Sequence, residues 1–133
     1  MRKQRTSHRF RIYRAVRRVL MRRYPRAFPG RGRRPPLKVG ILRDIVHRGH
    51  PGVSASQVRI FLQVWTSSTA YLASVAMGGP RTDLDGAPAG MVDDSHAREA
   101  RERVAARRRE RAARLTPKAS KDTQSVNDTR IGR

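Results

Sequence analysis

The sequence contains no cysteine, and aromatic residues make up only 5% of it. Without thiols, disulfides, cysteine-ligated zinc sites and thiol catalysis are all excluded. No apolar run reaches the roughly 18 residues that a bilayer-spanning helix needs. The first residues, MRKQRTSHRFRIYR, also lack the apolar core of a signal peptide. We therefore expect a soluble, cytoplasmic protein with no membrane partner.

Acidic residues are scarce, numbering 10 against 31 lysines and arginines, which leaves a formal net charge of +21. Residues 1–36 contain 14 basic residues and no acidic one, whereas residues 37–92 are nearly neutral and apolar. Only four of the basic residues are lysine, and the arginine guanidinium binds phosphate through two parallel hydrogen bonds. A GC-rich genome would also enrich arginine. The charge therefore indicates an anionic polymer as partner, but not recognition of a particular one.

The 133 residues are enough for one domain. In the first 50 residues, apolar side chains at helical spacing predict two helices. The first is predicted from Arg9 to Tyr24, with arginines opposite its apolar face. The second is predicted to open at Pro36, a favoured first-turn residue, and to stop before Gly49. The apolar face of the first helix comprises Phe10, Tyr13, Val16, Val19, Leu20 and Tyr24.

Capping residues predict where the third and fourth helices begin. Ser54 is the expected N-cap of the third helix and Gln57 its capping-box partner. A run of three hydroxyl residues then offers N-caps for a short fourth helix that continues to about Val75. The inward stripe of the third helix comprises Val58, Phe61, Leu62 and Trp65, and the hydroxyl run is Thr66, Ser67 and Ser68.

A β-hairpin is predicted between residues 81–84 and 87–92. Asp85-Gly86 lies between these segments and is typical of a type I′ turn, which needs positive φ at both central positions. Pro88 favours an edge or irregular second strand. A last helix is predicted from the acidic cluster at residues 93–95 to Leu115, with docked first turns and a solvated, arginine-rich remainder.

Residues with catalytic or metal-binding chemistry form no convincing site in the sequence. His47 and His50 are three apart, but no cysteine and no converging carboxylate pair accompany them, so we expect no metal and no other cofactor. Ser67 and Ser68 lack the context of a catalytic serine. The aspartates of the hairpin turn are common partners of the local backbone. We therefore expect a binding protein and not an enzyme.

The start of the predicted fourth helix has the chemistry of a phosphate site. Backbone N–H groups at a helix N-terminus can bind an anion together with the hydroxyls of residues 66–68. The same residue types are common N-caps for structural reasons, and that alternative stays open. Tyr71 can equally be a core residue, and Arg59 and Arg81 can be surface charges. Their grouping in the least charged part of a very basic chain favours a functional site.

Three ordered segments of the sequence resemble the FinO/ProQ family of bacterial RNA chaperones. They are PLKVGILRDI at residues 36–45, WTSSTAYL at 65–72 and GGPRTDLDGAPAG at 78–90. The resemblance implies a mainly α domain of about five helices with a small β-hairpin near residues 81–92. The resulting organisation is a disordered basic arm at residues 1–9, a FinO/ProQ-like RNA-binding domain at 10–115 and a disordered polar tail at 116–133.

The resemblance also implies a function in post-transcriptional regulation. Such a protein binds an intrinsic-terminator hairpin and its single-stranded 3′ tail, protects small regulatory RNAs and promotes their pairing with mRNAs. We expect a monomer whose partners are small RNAs and mRNA 3′ ends. The family pocket for the RNA end corresponds here to Thr66, Ser67, Ser68, Tyr71, Arg81 and Asp85, with Lys38 and Arg59 on the same basic face and Arg34 in the preceding loop.

Two other classes of function remain open at this point. A basic nucleoid- or ribosome-associated protein would coat nucleic acid through charge alone, and replacing Tyr71 or Arg81 would then cost no more than removing any arginine of the arm. A protein-interaction module with incidental charge would release RNA at physiological salt. Neither alternative explains the WTSSTAYL and PRTDLDG segments as well.

Overall fold

The computed structural model describes residues 2–115, with side chains from residue 8 onward. Within that range the chain forms five helices and one two-stranded antiparallel sheet, which confirms the predicted fold class. The predicted disordered tail lies outside the described residues. The elements are α1 (Arg2–Arg23), α2 (Ile41–Arg48), α3 (Ala55–Thr66), α4 (Thr69–Ala76), β1 (Pro80–Thr82), β2 (Pro88–Met91) and α5 (Asp94–Leu115).

The chain divides between Arg101 and Glu102 into two compact units, and the features described below lie in the first unit. None of the helices in residues 2–115 combines the length and apolar composition needed to cross a membrane. The same residues contain no cluster of three histidines or carboxylates that could hold a metal ion.

Helix α1 begins at Arg2 and not at Arg9, so it continues through most of the segment predicted as a disordered arm. No glycine or proline interrupts residues 2–9, and arginine, lysine and glutamine are good helix formers. Val16 and Leu20 are buried as predicted, but Phe10 is 47% exposed. Six residues before Val16 correspond to about 120° around the helix, which turns Phe10 away from the buried stripe.

The second helix starts later than the sequence predicted. Residues 36–38 are extended and lie beside β1, where the Thr82 N–H donates to the Pro36 carbonyl (2.8 Å) and the Lys38 N–H donates to the Thr82 carbonyl (2.9 Å). Helix α2 follows only after Gly40, whose φ of 88° no helix accommodates. The segment thus forms a parallel bridge to β1, and the predicted opening at Pro36 is wrong.

Helices α3 and α4 begin where their capping residues predicted. The Gln57 N–H donates to Ser54 Oγ (3.2 Å) and the Ser54 N–H donates to Gln57 Oε1 (2.9 Å), which completes the capping box. Ser68 caps α4. The core between α1 and α3 is aromatic, with Phe28 packed edge-on against Phe61 and Trp65 at ring-centre distances of 5.3 and 5.4 Å.

The hairpin forms as predicted, but its turn is not of type I′. The Gly86 N–H donates to the Asp83 carbonyl (3.1 Å), and only Gly86 in this turn has a positive φ. The Asp83 carboxylate accepts from the N–H groups of Asp85 (2.9 Å) and Ala87 (2.8 Å). This side chain stabilises a longer loop, in which Asp85 keeps an ordinary backbone conformation.

Candidate nucleic-acid interface

The peptide groups of Leu37 connect three parts of the fold at the predicted site. The buried Leu37 N–H donates to the Tyr71 hydroxyl of α4 (3.0 Å). The Leu37 carbonyl accepts from Arg81 Nη1 of β1 (2.9 Å). Because residues 36–38 also pair with β1, α4 and the hairpin are held to the same short segment. Tyr71 and Arg81, two of the predicted site residues, are therefore brought together.

Tyr71 is largely a core residue in this arrangement. Its side chain is only 7% exposed, and its N–H donates to Ser68 Oγ (3.2 Å) in the first turn of α4. A ring buried to this degree is not available to stack on a base. Because the hydroxyl oxygen is the acceptor in its bond with Leu37, its O–H group can still donate. In the structure, Tyr71 holds α4 in position relative to residues 36–38.

Arg34 lies over the face of Trp65, with Cζ 3.8 Å from the ring centre. Its Nη1 donates to Ser68 Oγ (3.0 Å), and Ser68 Oγ in turn donates to the Trp65 carbonyl (2.8 Å). The Ser68 hydroxyl thus accepts from Arg34 and Tyr71 and donates once, which uses its hydrogen-bonding capacity. Its structural effect is to fix Arg34 beside the start of α4 with other guanidinium N–H groups left to donate.

The hydroxyls of Thr66 and Ser67 both turn back onto α3. Thr66 Oγ1 donates to the Leu62 carbonyl (2.7 Å) and Ser67 Oγ donates to the Gln63 carbonyl (2.5 Å). In this conformation they add a second donor to carbonyls in the last two turns of α3 and do not cap α4, so capping accounts for Ser68 alone. Phosphate contact by these two residues stays a prediction.

Lys38 and Asp85, the other charged residues of the predicted site that have partners, form ion pairs with α2. Lys38 Nζ lies 2.8 Å from Asp44 Oδ2. Both carboxylate oxygens of Asp85 accept from Arg48, at 3.0 and 2.7 Å. These hydrogen bonds hold the pKa of Asp85 below its usual value, so the carboxylate stays ionised.

Arg59, by contrast, is exposed on α3 and has no side-chain partner within residues 8–115. Neither Arg59 nor Asp85 touches the Leu37 contacts that join Tyr71 and Arg81.

Three basic residues that the sequence did not single out lie beside α4 or beside Arg81. Arg33 Nε donates to the Oγ of the buried Ser74 (3.1 Å), and Arg101 Nη1 donates to the Ala76 carbonyl (3.0 Å). His96 Nδ1 lies 3.4 Å from Arg81 Nη2. Arg33 was visible only as part of a basic loop, and Ser74 sits in an apolar run. No spacing in the sequence pairs a loop arginine with that serine.

The geometry defines a mainly helical domain whose short helix α4 is surrounded by arginines, an arrangement suited to phosphate groups. Residues 12–116 match the model of the ProQ/FINO family, and the chain belongs to that family. The resemblance found in the three sequence segments is thereby confirmed.

Two solved structures share the fold. One is a FinO-like RNA chaperone from Neisseria meningitidis MC58, with a TM-score of 0.57 and 24% sequence identity over 66% of this chain and 88% of that chain. The other is a ProQ homolog from Legionella pneumophila, with a TM-score of 0.57 and 28% identity over 67% of this chain and 77% of that chain.

Proposed function

We propose that this protein is an RNA chaperone of the bacterial cytoplasm that binds an intrinsic-terminator-like hairpin together with its single-stranded 3′ tail. Through this contact it protects regulatory RNAs and promotes their pairing with mRNAs as a monomer. Membership of the ProQ/FINO family supports the RNA-binding class. The Neisseria meningitidis protein with the same fold is described as an RNA chaperone, which agrees with the proposal.

The observation that carries the proposal is the linked set of contacts at the start of α4. Arg34 is fixed by Ser68, and Arg81 is fixed by the main chain of Leu37, which also binds Tyr71. Two arginines are thus held in place before a ligand arrives, so less side-chain entropy is lost on binding. Preorganised guanidinium groups beside a helix N-terminus are suited to the phosphates of a chain end.

The predicted site residues divide into two roles in this proposal. Arg34, Arg81 and Lys38 bind phosphates, and Arg59 extends the cationic surface along α3. Asp85 stays ionised beside Arg48, and its remaining lone pairs accept from a ribose hydroxyl of the tail. Ser68 and Tyr71 position the arginines. Thr66 and Ser67 contribute if their hydroxyls rotate away from α3.

The test compares one hairpin RNA in three forms: with a 3′ hydroxyl, with a 3′ phosphate and with the single-stranded tail deleted. Binding is measured at a fixed salt concentration near physiological. We expect the hydroxyl-ended form to bind most tightly, because the ionised Asp85 accepts from a terminal ribose hydroxyl and repels a terminal phosphate. Equal affinities for the three forms would exclude an end-recognising site.

Arginine variants separate this function from non-specific coating of nucleic acid. Arg81→Gln removes a cation of the site, and Arg43→Gln removes an exposed cation of α2 that has no side-chain partner within residues 8–115. We expect the Arg81 variant to lose discrimination between the three RNA forms and the Arg43 variant to retain it. Equal, small losses of affinity in both would instead identify a protein that binds through charge alone.

A further inference from the structure

Helix α1 carries a second cationic surface, which lies on a different side from its buried stripe. A groove of about 470 Å³ runs along it and is lined by four arginines and one methionine. Val16 and Leu20, which pack into the core, are not part of this lining. The lining residues are Arg14, Arg17, Arg18, Met21 and Arg22, here called the α1 groove.

The charge of the α1 groove is not neutralised by the protein. None of its arginines pairs with a carboxylate within residues 8–115, and the first acidic residue of the sequence is Asp44. Arg17 donates only to Met21 Sδ (3.1 Å), which leaves its terminal nitrogens available. Arg33 and Arg34 beside α4 also lack a carboxylate partner within residues 8–115, but their hydrogen bonds to serine hydroxyls orient them. The α1 groove therefore presents four positive charges that no carboxylate of the described residues offsets.

The spacing within the α1 groove suits a repeating anion. Arg14, Arg18 and Arg22 follow one another at intervals of four residues, so they lie on one side of α1 and about 6 Å apart along it. The groove contains no aromatic ring on which an unpaired base could stack. Binding to single strands normally uses such rings, whereas a double helix offers mainly its phosphates.

We propose that the α1 groove is a second nucleic-acid site, which binds the phosphate backbone of double-helical RNA regardless of its sequence or ends. This goes beyond the proposed function, because it requires no 3′ end and uses none of the residues assigned to that site. The two surfaces are connected by a loop. A Cβ at Gly30 would lie 2.9 Å from Met21 Cε, so the loop that continues to Arg33 and Arg34 starts against the groove.

The test uses a blunt RNA duplex whose 3′ ends are phosphorylated, so that end recognition contributes nothing. The variant Arg14→Gln/Arg18→Gln/Arg22→Gln keeps helix-forming residues and removes three positive charges. Its matched control, Arg108→Gln/Arg111→Gln/Arg114→Gln, removes three charges from exposed positions of α5. Dissociation constants are measured from 50 to 200 mM salt.

We expect the salt dependence to fall in the α1 variant. Losing three phosphate contacts lowers the slope of log K against log salt by about 2.7, so that the loss of affinity between these salt concentrations shrinks about 40-fold relative to wild type. The α5 control is expected to keep nearly the wild-type slope. Equal reductions in both variants, or no reduction in the α1 variant, would overturn the proposal.

Three further checks use a charge-retaining variant, single substitutions and the preference for a 3′ end. Arg14→Lys/Arg18→Lys/Arg22→Lys retains the charge and is expected to retain the slope, and loss of slope in this variant also counts against a backbone site. If the glutamine variant is unfolded by circular dichroism, the single variants Arg14→Gln and Arg18→Gln replace it, each with about a third of the change in slope. The α1 variant is also expected to keep the preference for a 3′ hydroxyl over a 3′ phosphate. If wild type has no such preference, the proposed function fails while the α1 groove is still tested by the slopes.

Discussion

The Tyr71 hydroxyl lies on the buried side of α4 and accepts the N–H of Leu37. The sequence allowed a core residue or a binding residue at this position. In the structure the core role accounts for the burial of the ring and for the hydroxyl's hydrogen bond. An effect of Tyr71 on RNA binding would then arise through the position of α4, so its loss is expected to affect stability as well.

Replacing Tyr71 with phenylalanine tests this role. The change leaves the buried Leu37 N–H without a partner, which costs about 1–3 kcal/mol of unfolding free energy. Tyr13→Phe is the matched control, because Tyr13 stacks on Phe61 and its hydroxyl has no hydrogen-bond partner within residues 8–115. Urea unfolding of both variants measures the difference. A Tyr71→Phe protein as stable as the Tyr13→Phe protein would contradict the assignment.

His50 gives the protein a pH-dependent stability. Burial, and then the positive charges of Arg23 and Arg48, hold the pKa of His50 below its usual value of 6.5. Its Nε2 lies 2.8 Å from the Tyr24 hydroxyl. As the pH falls through 6.5, His50 becomes protonated in the unfolded chain but stays neutral in the folded protein. The free energy of unfolding therefore decreases until the pH reaches the lower pKa of folded His50.

The variant His50→Gln removes this contribution and keeps a polar group near Tyr24. We expect its urea midpoint to change less between pH 7.5 and pH 5.5 than that of wild type. The remaining titratable groups are common to both proteins, so the difference isolates His50. Identical pH dependence in the two proteins would show that His50 titrates alike in the folded and unfolded states.

At the scale of elements, helix starts differ in how well the sequence predicts them. The start of α3 is determined by local side chains, because Ser54 and Gln57 each bind the backbone N–H of the other. No residue distant in the sequence is required. The start of α2 depends on tertiary structure. Residues 36–38 have the apolar pattern of a helix, but their backbone groups pair with Thr82, which is far away in the sequence. Local helix propensity cannot indicate that pairing with Thr82 competes with helix formation at residues 36–38.

The capping box makes a quantitative prediction for α3. Ser54→Ala removes the acceptor for the Gln57 N–H and is expected to cost about 1 kcal/mol of unfolding free energy. Ser95→Ala, in the exposed first turn of α5, is the control and is expected to change stability by less than about 0.5 kcal/mol. Ser56 is unsuitable for this purpose, because its Oγ lies 3.1 Å from the capping Oγ of Ser54. Thermal or urea unfolding compares the two. Equal stabilities would mean that packing of α3 alone determines where it begins.

At the scale of the whole molecule, the arginines fall into two groups that composition cannot distinguish. Those around α4 are oriented by hydrogen bonds to serine hydroxyls and main-chain carbonyls, whereas in the α1 groove only Arg17 has such a bond within residues 8–115, to Met21. The sequence predicted the family, the helical class and the hairpin. Only the folded arrangement separates arginines that are held in place from arginines that are not.

This division predicts how discrimination between RNAs depends on salt. Contacts to phosphates weaken as salt rises, whereas contacts of Asp85 with a ribose hydroxyl change little. We therefore expect affinity for every RNA to fall between 50 and 200 mM salt, and the preference for a hairpin with a 3′ hydroxyl over a blunt duplex to decrease, because the tail adds phosphate contacts with Arg34, Arg81 and Lys38. Competition binding at the two salt concentrations measures this. A preference that stays constant or increases with salt would contradict phosphate binding by these three residues.

The contacts at Leu37 have a consequence for how this site is read in related sequences. Tyr71 and Arg81 bind its N–H and carbonyl, which every residue except proline possesses in full. A relative with valine or isoleucine at this position keeps the junction intact, whereas one with proline has lost the N–H that Tyr71 accepts. An alignment of side chains therefore shows an ordinary apolar core residue at this position. Its contribution to the site is made by its backbone N–H and carbonyl.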